Sequence, residues 1–218
     1  MGHVLDAAKE FLQQGGPFMY VNCLFSAVAI AIIIERTLSL HRMSLPGSAF
    51  MGQLMKQVRE GQIDRAKRLC EAASKAALAR VLQAGLSRAN RGEQEVASAL
   101  EEAILEQTPL LQKRIASLWS VANIATLTGL IGTISGLIGS FKALGKASPS
   151  QKAELLSKGI SEAMNNTAFG LSIAVMCIIG HLLLTNRSKS MIEEMELSAM
   201  KLENLLARRA AGEVNPAE

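Results

Sequence analysis

Three long segments without a charged side chain constrain this chain more than any other feature of its sequence. No Asp, Glu, Lys or Arg occurs in residues 18–34, 115–141 or 163–186. A helix needs about 20 apolar residues, with a range of roughly 17–25, to cross the hydrocarbon core of a bilayer. A soluble bundle with buried core helices is the alternative, but three such segments exceed what a core of this size usually needs. The sequence therefore predicts membrane-spanning helices, because no segment shows the alternation typical of a barrel strand.

The second and third segments divide into a small and a large side when they are projected at 100° per residue. The stretch GLIGTISGLIGSF, residues 129–141, contains four glycines, each of which weakens a helix by about 1 kcal/mol relative to Ala. The small side of the second segment comprises Ala122, Ala125, Thr126, Gly129, Gly132, Thr133, Gly136 and Ser140. The small side of the third segment comprises Ala163, Thr167, Gly170, Ala174, His181 and Thr185.

Two interpretations of these small sides stand beside each other. In the first, the two helices pack closely on one another, and Gly132 and Gly136 have the spacing of a small-xxx-small motif. In the second, the hydroxyl groups, together with Asn165, Asn166 and Glu162, line a shared polar interior, since an ionisable residue near a span is a functional candidate.

The distribution of Lys and Arg predicts the orientation. One base precedes the first segment, thirteen lie between the first and second, four between the second and third, and five after the third. Because cytoplasmic flanks are enriched in Lys and Arg, we expect the N-terminus outside and the middle segment and tail in the cytoplasm. A cleaved signal peptide is the alternative for the first segment. Its leading region has one base, Lys9, and no small-x-small site precedes Glu35, which favours a retained anchor.

Little in the sequence favours catalysis or metal binding. The three cysteines and three histidines are scattered along the chain, which predicts neither a disulfide framework nor a zinc site. GLIGTISG is Gly-rich, but no strand precedes it and no Lys-Ser or Lys-Thr ends it, so it is not a phosphate loop. The basic residues flank apolar segments, which favours a bilayer over a nucleic acid as partner. We therefore expect no enzymatic activity, no cofactor and no metal.

The remaining regions are predicted to be helical. Apolar residues recur at intervals of three or four within residues 63–70, 78–86 and 192–206. Gly92 marks a turn, and Pro109 predicts a kink or a restart because it lacks a backbone N–H. SPSQ has the pattern of a capping box, with Ser148 as N-cap, Pro149 at the first helical position and Gln151 at the third.

Three motifs carry a resemblance to a known family. They are GGPFMY followed by AIAIIIERTLSLHR, then TGLIGTISGLIGSF, then GISEAMNNTAFGLSIAV. In order and spacing they resemble the three spans of the ExbB/TolQ/MotA proton-channel family, nearer to ExbB and TolQ than to the flagellar stator. The resemblance implies a homopentamer in the bacterial inner membrane. It also implies an enclosed dimeric partner of the ExbD, TolR or MotB type, whose single span carries an essential Asp.

The resemblance further implies a proton pathway and a task. Thr133 and Thr167 match the pore threonines of the family, and Glu162 matches its third-span glutamate. Glu162 lies about 140° from Thr167 around the helix, and we expect it to face a neighbouring subunit. Proton flow would drive work on a third envelope component of the TonB or TolA type, or on gliding machinery. Further polar candidates are Asn166, Thr126 and His181, and helix packing is assigned to Gly129, Gly132, Gly136 and Gly170.

Three positions depart from the family pattern. Met176 stands where the third span usually has Pro, which predicts a straighter helix. Val21-Asn22 stands where the early first span frequently has a Pro, and Asn166 stands where a small apolar residue is common. Two hypotheses follow: a proton-driven motor subunit, favoured by the retained threonines and Glu162, and a non-conducting membrane scaffold with the same fold, favoured by Met176.

The predicted fold is an all-α integral membrane protein with three transmembrane helices and long cytoplasmic helical extensions. The segments are a periplasmic start (1–17), spans at 18–35, 115–141 and 162–186, a cytoplasmic domain (36–114), a periplasmic loop that includes the start of the third helix (142–161), and a cytoplasmic tail (187–218) whose last seven residues are expected to be disordered.

Overall fold

The computed structural model describes residues 16–145 and 148–210, and every regular element in these two ranges is an α-helix. The helices are α1 (Gly16–Met43), α2 (Gly47–Arg59), α3 (Ile63–Ala72), α4 (Ala77–Ser87), α5 (Glu93–Gln112), α6 (Ile115–Leu144) and α7 (Lys152–Ala210). The prediction of an all-α chain is confirmed for this part of the protein. The predictions for residues 1–15 and for the last seven residues lie outside the described ranges.

Three of the helices are long and apolar enough to cross a membrane. They are α1 with 28 residues, α6 with 30 and α7 with 59. At about 1.5 Å per residue each exceeds the roughly 30 Å of a hydrocarbon core. Each contains one of the uncharged segments, so the prediction of three candidate spans is confirmed. α7 continues past Met176 without interruption.

The chain forms two compact units. The apolar unit comprises α1 up to Ile34, all of α6, and α7 up to Leu183. The other unit, called the α2–α5 unit, comprises residues 35–113 and the part of α7 from Leu184 onward.

The α2–α5 unit has an aliphatic core. Its fully buried side chains include Leu54, Val58, Leu82, Leu86 and Leu202, which lie on the faces that the helical periodicity of α2, α4 and α7 turns inward. At Gly85 an added Cβ would lie 2.6 Å from Cδ2 of Leu100. An added methyl group at Gly85 would therefore displace the buried side chain of Leu100 between α4 and α5.

Arg36 ties α1 to the end of α5 inside this unit. It is 5% exposed, and its Nη1 donates to the carbonyl oxygen of Leu110 at 3.4 Å. That carbonyl belongs to the last turn of α5, where no basic side chain of the helix itself is present. Since the last four carbonyls of a helix lack partners within it, a cation there is favourable. Nη2 is paired with Glu35 at 2.7 Å.

Two local predictions need correction. Pro109 lies within α5, and the break comes later, at Lys113 and at Arg114, whose φ is 60°. One missing N–H does not end the helix. It ends where the backbone of Lys113 becomes extended, with a ψ of 131°, and that of Arg114 left-handed. The capping box also does not form, because α7 begins at Lys152 rather than after Ser148. The hydroxyl of Ser148 donates to the side chain of Gln151 at 2.9 Å, and the backbone makes a turn at these residues before α7 begins.

The predicted turn at Gly92 is present, with a φ of 107°.

Candidate functional site

The small sides of α6 and α7 pack against each other in the apolar unit. An added Cβ at Gly170 would lie 2.7 Å from the carbonyl oxygen of Ala125 and 3.2 Å from Cα of Gly129. An added Cβ at Gly129 would lie 2.9 Å from the carbonyl oxygen of Asn166. Because both clashes involve backbone atoms, neither position accepts a methyl group without moving a helix. Within one chain these glycines therefore permit backbone contact.

The contact continues in an antiparallel register, and we call it the seam. It pairs Gly129 with Gly170, Gly132 with Asn166, Gly136 with Ala163, and Ser140 with Gly159. On the opposite side of the two helices the large residues remain exposed. These are Leu127, Leu130, Ile131, Ile134, Ile138 and Phe141 of α6, and Leu171, Val175, Ile179 and Leu182 of α7.

Thr133 and Thr167 meet at the edge of the seam. Their hydroxyl groups are in direct contact. Oγ1 of Thr133 also lies 3.0 Å from the carbonyl oxygen of Ala163 and 3.2 Å from that of Gly129. Both side chains are half-buried. The sequence prediction placed these two threonines on the small sides, and the structure joins them into one hydrogen-bonded pair.

The depth of this pair can be measured along the two uncharged segments. Thr167 lies four residues, or about 6 Å, from the start of the uncharged segment at Ala163. Thr133 lies eight residues, or about 12 Å, from Phe141. On α7 the pair is therefore closer to the end of the uncharged segment than to its centre. On α6, Thr133 lies five residues, or about 7.5 Å, from Thr128 at the centre of residues 115–141.

Two buried carboxamides flank the seam. Asn166 is 2% exposed and packs on Gly132, where an added Cβ would lie 3.1 Å from its Nδ2. Asn22 of α1 is 0% exposed, and its Nδ2 lies 3.3 Å from the Cβ position at Gly170. Among the described residues, neither Oδ1 of Asn166 nor the amide atoms of Asn22 have a hydrogen-bond partner. Buried polar groups without a partner are rare in folded proteins, so the surroundings of each amide decide whether water reaches it.

A polar cleft lies beside the seam, between α1, α6 and α7. Its volume is about 300 Å³, room for roughly ten water molecules at about 30 Å³ each. Asn166 lines it at one level, and Glu162 and Lys158 follow along α7. The α6 side is built from Gly132, Ser135, Gly136, Gly139, Ser140 and Ala143. Because these residues are small, the helix surface leaves open volume next to the buried amide.

The side chain of Glu162 lines this cleft and contacts α1 of the same chain. It is half-buried, and its Oε1 is 2.8 Å from the position of an added Cβ at Gly16. We expected its side chain to face a neighbouring subunit. The single chain already gives it a contact with the first residue of α1, and φ at Gly16 is 66°.

Two other predicted polar candidates lie apart from the threonine pair. Thr126 donates its hydroxyl to the carbonyl oxygen of Ala122, 3.0 Å away on its own helix. The ring of His181 stands edge-on to Trp119, with 6.0 Å between the ring centroids. Thr126 is seven residues from Thr133 and His181 is fourteen from Thr167, which corresponds to about 10 Å and 21 Å along the helices.

Sequence reasoning missed two positions of the site. Gly159 faces Ser140, whose Oγ stands 1.5 Å from the Cβ position, and extending the projection of α7 by one turn beyond Ala163 would have found it. Asn22 was noted only for the absence of Pro. An uncharged polar residue inside an apolar span was the available signal.

Comparisons with known proteins agree on one family. The family model described as the MotA/TolQ/ExbB proton channel family matches residues 73–197, more than half of the chain. The putative biopolymer transport protein ExbB-like 3 of Synechocystis sp. is 29% identical over 156 residues, which is 71% of this chain and 74% of that protein.

Two further relatives are more distant. The putative ExbB-like 1 protein of Synechocystis sp. is 25% identical over 172 residues, 78% of this chain and 67% of that protein. A putative biopolymer transport protein described as an ExbB homolog, from Methanothermobacter thermautotrophicus, is 27% identical over 121 residues, 55% of this chain and 42% of that protein.

Proposed function

Because this chain belongs to the MotA/TolQ/ExbB proton channel family, we propose that it is a motor subunit of the bacterial inner membrane. It couples proton flow to mechanical work on periplasmic or outer-membrane components. The observation that carries the proposal is the hydrogen-bonded pair of Thr133 and Thr167 beside a polar cleft in otherwise apolar helices.

The threonine pair distinguishes the two protonation states of a carboxyl group. Each hydroxyl has one hydrogen and two lone pairs. One hydrogen joins Thr133 to Thr167, and the other is directed at the carbonyl oxygen of Ala163 or Gly129. With both hydrogens engaged, the pair accepts a hydrogen bond from a protonated carboxylic acid. To stabilise a carboxylate, one hydroxyl must turn its hydrogen away from the carbonyl.

This chemistry requires an acid from another chain. Threonines do not titrate near neutral pH, and Glu162 lies about one and a half helical turns from Thr167. An ionised carboxylate in an apolar environment needs polar partners. The proposed source is the membrane Asp of an ExbD/TolR-like single-span dimer enclosed by five copies of this chain. In that ring the exposed large side chains of α6 and α7 contact lipid or neighbouring copies.

The cleft gives water access towards the threonine pair. From Lys158 to Asn166 it extends over eight residues of α7, about 12 Å. In the proposed orientation the N-terminus is periplasmic, so this end of the helices faces the periplasm and the C-terminus lies in the cytoplasm. The thirteen Lys and Arg residues between the first and second apolar segments support that orientation.

The names of the relatives, which refer to biopolymer transport, support a task in the cell envelope. A third component of the TonB or TolA type, or gliding machinery, would receive the work.

The proposal is tested by Thr133→Val and Thr167→Val, with Thr126→Val as the matched control. Valine keeps the shape and removes the hydroxyl, and the hydroxyl of Thr126 bonds only within its own helix among the bonds described. We expect both pair variants to assemble like the wild type but to lose most of a phenotype that depends on the proton-motive force, whereas Thr126→Val keeps it.

Normal output from both pair variants would favour the second candidate function, a non-conducting scaffold. Met176 supports that candidate, since it leaves α7 without the Pro that the family resemblance led us to expect.

A further inference from the structure

A basic pocket lies at the end of the apolar part of α1, within the α2–α5 unit. Its volume is about 450 Å³. The lining residues are Glu35, Leu38, Ser39, Arg42 and Met43 of α1, Lys75 before α4, and Arg80 in the first turn of α4. None of the predicted site residues belongs to it, and the proposed motor function does not use it.

The pocket carries an excess of positive charge without an internal counter-ion. Arg42, Lys75 and Arg80 are exposed, and none of the three is in an ion pair among the described residues. The single acid, Glu35, is already paired with Arg36 at 2.7 Å. Since like charges gathered in one pocket repel each other, an anion bound between them is favourable.

Two features of the backbone hold these charges in place. Nε of Arg80 donates to the carbonyl oxygen of Ser74 at 2.7 Å, which fixes the guanidinium beside the loop that carries Lys75. The helix α4 begins at Ala77, between Lys75 and Arg80, and no side chain caps its N-terminus. The positive end of its macrodipole therefore adds to the charge of the pocket.

The position along α1 identifies the source of the anion. The uncharged segment ends at Ile34, so Glu35 to Arg42 lie about 1.5–12 Å beyond it at 1.5 Å per residue. The headgroup layer of a bilayer is about 5–8 Å thick on each side of the hydrocarbon core, and the pocket lies at its level. Leu38, 53% exposed, gives the pocket an apolar wall that a free phosphate ion would not use.

We propose that this pocket binds the phosphate of an anionic glycerophospholipid in the adjoining leaflet. The headgroup phosphate lies between Arg42, Lys75 and Arg80, and the glycerol end lies against Leu38. A zwitterionic lipid is disfavoured because its ammonium group would enter the same positive field.

The test measures binding of dioctanoyl phosphatidylglycerol to the purified full-length protein in neutral detergent by native mass spectrometry. The variant is Arg42→Gln with Lys75→Gln, which retains Arg80 and its bond to Ser74. The matched control is Lys56→Gln with Arg68→Gln, which removes the same charge from exposed positions outside the pocket. A charge near a lipid surface contributes about fivefold in affinity. We expect the pocket variant to bind about 25-fold more weakly and the control to bind like the wild type.

Two further arms identify the ligand. Dioctanoyl phosphatidylcholine should bind at least tenfold more weakly than phosphatidylglycerol, and inorganic phosphate or glycerol 3-phosphate at millimolar concentration should not displace the bound lipid. Equal lipid affinity in the pocket and control variants would overturn the site. Displacement by inorganic phosphate would overturn the lipid assignment and identify a free phosphate instead. Circular dichroism and the oligomeric state verify that each variant is folded.

Discussion

The seam and the cleft are adjoining strips of α6 that share Gly132, Gly136 and Ser140 at their border, and both are built from small residues. In the seam, the absence of Cβ at Gly129 lets the backbone of α7 approach to contact distance, with Gly170 opposite. In the cleft, the absence of Cβ at Gly139 leaves space, since among the described residues no atom outside the neighbouring backbone of α6 lies within 4 Å of the position that a methyl group would take. The same residue type therefore closes one strip and opens the other. The atoms that face each glycine from another helix decide the difference, and the periodicity of a single helix cannot predict them.

The largest effect is expected where the seam is tightest. Gly170→Ala places a methyl group 2.7 Å from the carbonyl oxygen of Ala125, and backbone cannot give way as a side chain can. Overpacking of this kind costs about 1–3 kcal/mol. We expect a lower unfolding temperature in detergent and reduced yield of the assembled ring, measured by thermal denaturation and native mass spectrometry. Wild-type behaviour of this variant would mean that α6 and α7 are not in backbone contact.

The two buried carboxamides should respond differently to replacement by Leu. Asn22 lies beside Gly170 in the seam and has no partner among the described residues, so Asn22→Leu should raise the free energy of unfolding by about 1 kcal/mol or more. Asn166 lines the cleft, where water can hydrate its Oδ1.

For Asn166→Leu we therefore expect little change in unfolding free energy but a clear loss of proton-dependent output. Thermal denaturation and the motor phenotype are scored together for both variants. If Asn22→Leu also abolished output without stabilising the fold, then the seam would be hydrated as well, and the distinction between the two strips would fail.

Thiol labelling tests directly whether water reaches the cleft. In a background with Cys23→Ala and Cys177→Ala, Gly139→Cys should react with an impermeant maleimide at least about tenfold faster than Thr126→Cys, because a thiolate forms only where water reaches it. Cys70 can stay, since burial and, less, the adjacent Glu71 raise the pKa of its thiol from 9.0 to about 12. At pH 8 its thiolate is then about a thousandfold scarcer than that of an ordinary cysteine.

The same experiment in intact spheroplasts tests the orientation. Gly139→Cys should be labelled from outside, and Gln94→Cys only after permeabilisation. The reverse pattern would place the cleft on the cytoplasmic side and contradict the proposed route of water.

In the apolar unit, much of the helix orientation was predictable from periodicity and polarity. The small and large sides of α6 were predictable because every third or fourth residue returns to the same face, and the structure buries Ala122, Ala125 and Gly129 accordingly. The pairing of Thr133 with Thr167 was not predictable, since it depends on the register between two helices. That register is set by contacts such as Gly129 with Gly170, which are far apart in sequence.

The cleft was even less predictable from the sequence. It needs α1 as its third wall, with Pro17 and Phe18 in the lining, and a projection of one helix cannot show which residues of another close a cavity. The same limitation applies to Arg36, which looked like an ordinary charge at the end of a span. Its contact with Leu110 depends on where α5 ends, and the sequence placed that break at Pro109 instead of Lys113.

The smallest effect is expected from Gly139→Ala, the matched counterpart of Gly170→Ala. A methyl group at Gly139 meets no described atom within 4 Å beyond the neighbouring backbone of α6, and replacing an interior helical Gly by Ala is worth up to about 1 kcal/mol. The free energy of unfolding of the single chain should therefore rise slightly, in contrast to the loss at Gly170. Gly136→Ala is intermediate, since its methyl group would stand 3.4 Å from Cβ of Ala163, an ordinary contact. If Gly139→Ala instead lowered the yield of the ring while the chain stayed folded, then a second copy would cover the cleft at this position. Water would in that case have to enter between subunits rather than along α7.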